Sequence, residues 1–325
     1  MITRIQTSKF NKNVFASSFS KAKIIRFCGD MHGFGRDHTN DILDFFNEQY
    51  PNTKLLLEYQ LPSSVKEHYS NLVLDYDFTL WREYLQIRKF EVFRQHPDID
   101  INNLLCTFNA KQHAGSRLLV SYLYNNRMHN PGYVSKNFQT NLQHLYKDIE
   151  QLSDNVDLDR IIFGVHKQHN EGYLSTVNVF GEKFSDQTDN LKNLSPRIAN
   201  SFVYIVSENV STGYIPYISE KFLYGVVNRS LFLAWAPPGW HKQLSEQFGF
   251  KLYDDIFDYS FDSIENPTKR LQMLMKNLAV YQQLSIDDWH DLRKVEIDKI
   301  QYNYEHFFSQ KYLDKIQKTQ YNHLD

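Results

Sequence analysis

Residues 202–239 read FVYIVSENVSTGYIPYISEKFLYGVVNRSLFLAWAPPG, and the order of elements in this stretch decides the fold. Phe202 to Val206 is a β-branched and aromatic run, the pattern of a buried strand, and it ends at Ser207, Glu208 and Asn209. A helix is predicted from Ser219. The serine is a natural N-cap, Glu220 suits the first turn of a helix dipole, and Phe222, Leu223 and Val226 lie on one apolar face. Leu231 to Trp235 is a second apolar run, closed by the Pro237-Pro238-Gly239 turn. Lys221 is the odd residue, because a cation in a first helical turn opposes the macrodipole. A phosphate there would be held by free backbone N–H groups and by the lysine together. Glu220 beside it has the chemistry to take the two hydroxyls of a ribose. The arrangement is that of a pocket for a nucleoside diphosphate, although Glu220 and Lys221 alone also read as a solvated turn.

The first hundred residues read as a smaller α/β unit. Lys23 to Cys28 is an apolar strand, Asp41 to Gln49 has helical spacing, and Lys54 to Glu58 is the next strand. Ligands of open parallel sheets bind beyond the carboxyl ends of the strands, which nominates Asp30, His32 and Glu58 as candidate acid–base residues. Each has a bland alternative as a turn cap, a loop histidine or a solvated strand end. Farther along, Leu104 to Phe108 and Arg160 to Gly164 read as strands and Ser116 to Tyr124 as a helix. Residues 165–200 read mainly as loop.

The chain of 325 residues, 42% of them apolar, is long enough for two domains with a core each. The reading divides it into a first unit over 1–97, a second unit over 98–280 that carries the nucleotide-pocket pattern, and C-terminal helices over 281–325. In that last part Trp289, Leu292, Ile297, Ile300, Tyr304 and Phe307 are expected on one apolar face, packing back on the first domain or joining two copies. A formal net charge of −2 gives no general pull toward nucleic acid. Cys28 and Cys106 lie in apolar runs and are expected as reduced core thiols, as in a cytoplasmic protein. No run of eighteen apolar residues predicts a membrane span. Neither Asp75-Tyr76-Asp77 nor His166-Lys167-Gln168-His169 has the setting of a metal site, so no metal and no cofactor are expected. There is no glycine-rich phosphate loop.

The order Glu208-Asn209, then Tyr217-Ile218-Ser219-Glu220-Lys221-Phe222, then an apolar strand ending at Pro and Gly resembles the donor-binding signature of α-1,3-fucosyltransferases. Ser219 stands where that family usually has Thr. Residues 239–279, with Gly249-Phe250, Phe261-Asp262 and Pro267 followed by Arg270, resemble the tail of glycosyltransferase-like proteins of bacteriophages and large viruses. Those proteins tend to carry an Arg-His-Arg stretch after an Asn. Here Asn109 is followed by Lys111, His113 and Arg117, which stand in as basic contacts to the pyrophosphate.

The resemblance implies an α/β chain of the GT-B type, with two Rossmann-like domains facing across a cleft and a helical C-terminus. It implies a glycosyltransferase that moves a sugar from a nucleotide-diphosphate sugar to an acceptor hydroxyl, with inversion and without a metal. The donor would be held by Glu208, Asn209, Tyr217, Ser219, Glu220, Lys221, Lys111, His113 and Arg117. The acceptor would be a glycan, a small molecule or a hydroxymethylated base in phage DNA. The alternative is a non-catalytic nucleotide-sugar or glycan-binding protein that keeps the fold.

Overall fold

The computed structural model describes residues 2–6, 24–28, 36–57, 63–70, 73–75, 87, 100–109, 114–129, 131–136, 194–208 and 218–314. They form a mixed α/β structure with two parallel sheets. The first holds β1 (Ile2–Gln6), β2 (Ile24–Cys28), β3 (Lys54–Leu57) and β4 (Val73–Asp75), side by side in chain order. Ile2 pairs with Ile24, Ile24 with Lys54 and Leu55 with Val73. Helix α1 (Arg36–Gln49) links β2 to β3, and α2 (Ser63–His68) links β3 to β4. Ile42, Leu43 and Phe46 of α1 are buried at the i, i+1, i+4 spacing of an amphipathic helix. The helix begins five residues before the predicted Asp41, because Arg36 to Asn40 carry no apolar period to announce it.

The second sheet comprises β5 (Asn103–Asn109), β6 (Gly132–Lys136), β7 (Ser201–Ser207) and β8 (Leu231–Trp235). Its order is β6-β5-β7-β8, all parallel. The chain therefore steps outward from β5 to β6, returns to the other side of β5 at β7, and continues to β8. That reversal is a topological switch point, where two neighbouring connections leave the sheet in opposite directions and open a crevice at the carboxyl ends. β6 was not expected from its sequence. The strand expected at Arg160–Gly164 lies outside the described residues.

Helix α3 (Ala114–Asn125) follows β5, and α4 (Lys221–Val227) follows β7. Every residue of β7 and β8 is buried, as parallel strands covered on both faces must be. Six residues of α4, Phe222 to Val227, are buried as well. Full burial of each large side chain among them contributes about 1.5–3 kcal/mol. Gly225 makes the fit: a Cβ there would lie 3.2 Å from Phe232 and from Tyr204, so α4 rests almost directly on β7 and β8.

The chain continues through α5 (Trp240–Glu246), a 3-10 turn (Tyr259–Ser263) and α6 (Pro267–Ala279), then α7 (Ile286–Val295) and α8 (Ile297–Phe308). Ser285 and Asp288 start α7 with a reciprocal capping box. Trp289 stacks on Phe202 of β7 with ring centroids 6.3 Å apart, and α8 packs on α4. Trp289, Ile300, Phe307 and Tyr312 thus share a core with the second sheet. Ile297 leaves the predicted apolar face and is 38% exposed. The helix breaks at Glu296, and the break resets which side of the chain faces inward. Cys106 is a free, buried thiol, and burial pushes its pKa up to about 12. Among the described residues no helix is long and apolar enough to cross a membrane.

Candidate functional site

The switch point is built from backbone outward. Glu208, the residue after β7, donates its N–H to the Trp235 carbonyl (3.0 Å) and so continues the β7–β8 ladder one step further. Its side chain is 1% exposed. Oε1 accepts from the Ser219 N–H (2.9 Å) and the Trp240 Nε1–H (3.3 Å), while Oε2 stands 3.5 Å from Lys221 Nζ. Burial pushes the Glu208 carboxyl above its ordinary range, and Lys221 and Ser219 pull the other way. The carboxylate faces inward, and Lys221, less buried, is its charged neighbour at the strand end.

The Glu208 bond also fixes the chain just before α4. Ser219, its N–H bonded to Glu208, lies just before the helix, which begins at Lys221 with Glu220 as N-cap and no Glu220 side-chain cap. Ser219 Oγ nevertheless accepts from the Lys221 backbone N–H and from Lys221 Nζ, both at 3.3 Å. Lys221 is thereby held at the crevice by Glu208 and Ser219 with 22% of its side chain exposed. Glu220 is half-buried next to it.

On the other side of the reversal, α3 is pinned to the ends of the same strands. The hydroxyls of Ser116 and Ser207 lie 3.1 Å apart, and Trp235 Nε1 donates to the Gly115 carbonyl (2.9 Å). Arg117, in the first turn of α3, is buried. Glu208, Ser219, Glu220, Lys221 and Arg117 therefore belong to the two connections that flank the switch point. Asn209, Tyr217, Lys111 and His113 fall within those same connections in sequence but lie outside the described residues, as do Asp30, His32 and Glu58. The strands that precede these last three end at Cys28 and Leu57.

Sequence reasoning missed Trp240, whose indole shares the Glu208 oxygen with Ser219, and the pair His241–Asp262. Asp262 Oδ1 stands 2.7 Å from His241 Nδ1 and accepts the His241 N–H, while Oδ2 accepts from the Lys242 N–H (3.1 Å). Burial works to raise the Asp262 carboxyl, but these bonds outweigh it and hold the pKa below the ordinary range. The pair has the look of a catalytic dyad. His241 Nε2, however, accepts the backbone N–H of Ala234 at 3.0 Å, which places the ring proton on Nδ1 and leaves no lone pair to take another. His241 is a structural histidine. A concavity of about 340 Å³ beside it is lined by Lys242, Glu246, Tyr259 and Asp262, with no residue of the switch-point group. Arg270, from the viral-type resemblance, is also structural: buried, it donates Nε to Ala236 O (2.9 Å) and Nη1 to the Ile264 and Glu265 carbonyls. Burial lowers its pKa to about 10.

The carboxylates of Asp254, Asp255 and Glu296 converge closely enough for a metal. Lys299 supplies the cation there, with Nζ 2.6 Å from Asp255 and 3.0 Å from Glu296. No protein-family model and no curated protein matches the chain.

Proposed function

We propose that the protein is a glycosyltransferase that moves a sugar from a nucleotide-diphosphate sugar to an acceptor hydroxyl, its two parallel sheets serving as the Rossmann-like halves of a GT-B arrangement. The observation that carries this reading is the strand-order reversal between β5 and β7, flanked by Glu208, Ser219, Glu220 and Lys221 on one side and Arg117 on the other. Lys221 meets the charge that develops on the leaving pyrophosphate, with Lys111, His113 and Arg117 as further basic groups and no metal required. Glu220 takes the ribose hydroxyls, and Glu208 and Ser219 hold Lys221 in place.

In the transfer, the acceptor oxygen bonds to the anomeric carbon as the bond from that carbon to the diphosphate oxygen breaks. The nucleoside diphosphate leaves with the electron pair. The acceptor proton passes to a base from the first unit, for which Asp30, His32 and Glu58 are the candidates. A single displacement of this kind inverts the anomeric carbon.

Calorimetric titration with GDP-, UDP- and dTDP-sugars, with and without magnesium, tests the donor half. One nucleotide is expected to bind independently of magnesium, and Lys221→Ala to weaken it about tenfold or more by loss of a charge-assisted contact. Unchanged binding in that variant would sink the donor-site assignment. Asp30→Asn or His32→Ala is expected to slow transfer more than it weakens donor binding. Donor binding without turnover on any acceptor would favour the non-catalytic alternative.

A further inference from the structure

At the opposite end of α4 from Lys221, two arginines meet with no carboxylate paired to either among the described residues. Arg229 takes a left-handed conformation (φ 47°) between α4 and β8 and is 7% exposed. Its guanidinium lies 3.6 Å above the ring centroid of Tyr304, and Nε donates to Gln301 Oε1 (3.3 Å). Nη1 is buried with no acceptor among the described residues. Arg293, in the last turn of α7, donates Nη2 to the backbone carbonyl of Arg229 (2.8 Å), which brings a second guanidinium to the same residue. Neither arginine takes part in an ion pair among the described residues. Glu305 joins the network through the Gln301 amide (2.7 Å) and not through a guanidinium.

Two cations brought together with a buried donor unspent are unfavourable without a counter-charge. Burial depresses the Arg293 pKa, Tyr253 opposes that, and the neighbouring Arg229 adds a smaller depression. The Tyr304 face and the Arg229 carbonyl offset part of the cost, but neither carries a full negative charge. A tetrahedral dianion supplies two charges and enough acceptor oxygens for two forked donors, the chemistry for which guanidinium is suited. Arg293 and Gln301 are only partly buried and leave an approach from the α7–α8 junction.

We propose that the Arg229–Arg293 corner is a binding site for a phosphate group, separate from the switch-point crevice and independent of the activity assigned to it. The ligand is free phosphate or the terminal phosphate of a small metabolite.

The test is titration of the full chain with inorganic phosphate against sodium chloride at matched ionic strength, read as thermal stabilisation. A phosphate-specific rise is expected in the parent protein. Arg293→Gln is expected to reduce the apparent affinity about tenfold or more, and Arg293→Lys, which keeps the charge but loses the fork, by a smaller factor. Lys221→Ala is expected to leave the Arg293-dependent part of the response in place. A response lost in Lys221→Ala and kept in Arg293→Gln would put the phosphate at the other end of α4 and overturn the proposal, as would equal stabilisation by chloride. If Arg293→Gln fails to fold, a phosphate-soaked crystal of the parent protein decides the matter. Tetrahedral density bridging both guanidiniums supports the site, and density elsewhere alone refutes it. A nucleoside monophosphate titrated in parallel distinguishes the sources, since tighter binding than phosphate points to a metabolite.

Discussion

Glu208 concentrates several demands in one side chain. It is buried, accepts two N–H groups on one oxygen and faces a lysine with the other. Removing it by Glu208→Ala leaves the Ser219 and Trp240 donors unpaired, and equilibrium unfolding in urea should show a loss of about 2–4 kcal/mol. Glu208→Gln keeps an acceptor for both donors and should cost less. The two forms are also expected to differ with pH. Because burial raises the Glu208 carboxyl above its ordinary value near 4.5, the folded chain holds a proton that the unfolded chain has already released. The associated stability is complete below the ordinary value and declines as pH rises through the raised one. Glu208→Gln cannot titrate, so its stability curve should be flatter across that window; an unchanged slope would trace the pH dependence to another group. The sequence pattern marked Glu208 as a strand-end carboxylate. It could not show that the carboxylate turns inward, since the indole that receives it comes from Trp240, 32 residues on.

Elements were legible in proportion to how much of their own burial they encode. β5, β7 and β8 are apolar and β-branched along their length and were found within a residue of their bounds. β6, GYVSK, has too few apolar residues to stand out and is recruited by pairing with β5. α4 begins at Lys221, two residues after the predicted start, while Ser219 Oγ accepts the Lys221 N–H as the predicted capping serine would. Among the candidate residues, those on either side of the reversal could be recognised as a group only once the strand order was known, because strand order is not written in periodicity. Two substitutions probe the elements. Gly225→Ala improves intrinsic helix propensity by about 1 kcal/mol, yet its Cβ would press on Phe232 and Tyr204, so a net loss of about 1 kcal/mol is expected by thermal denaturation. Ser285→Ala removes the capping box of α7 and should cost about 1 kcal/mol in the same assay.

For the whole molecule, the second sheet and the C-terminal helices stand or fall together. Phe202 of β7 lies against both Tyr281 and Trp289, and α8 covers α4. A chain ending at residue 280 would uncover that aromatic cluster, and it is expected to lose its cooperative unfolding transition and to bind a dye for exposed apolar surface. A sharp transition retained in that fragment would show that the helices are appended and not integral. The same scale gives the His241–Asp262 pair its meaning. β8 is the last strand of its described sheet, and the Ala234 amide that bonds to His241 is a ladder donor with no strand beside it. An open row of such donors is a template on which another chain can crystallise into cross-molecule pairing. A histidine locked by an aspartate occupies one such donor from within the same chain, so two residues that look like machinery for proton transfer serve instead to close a position on a sheet edge.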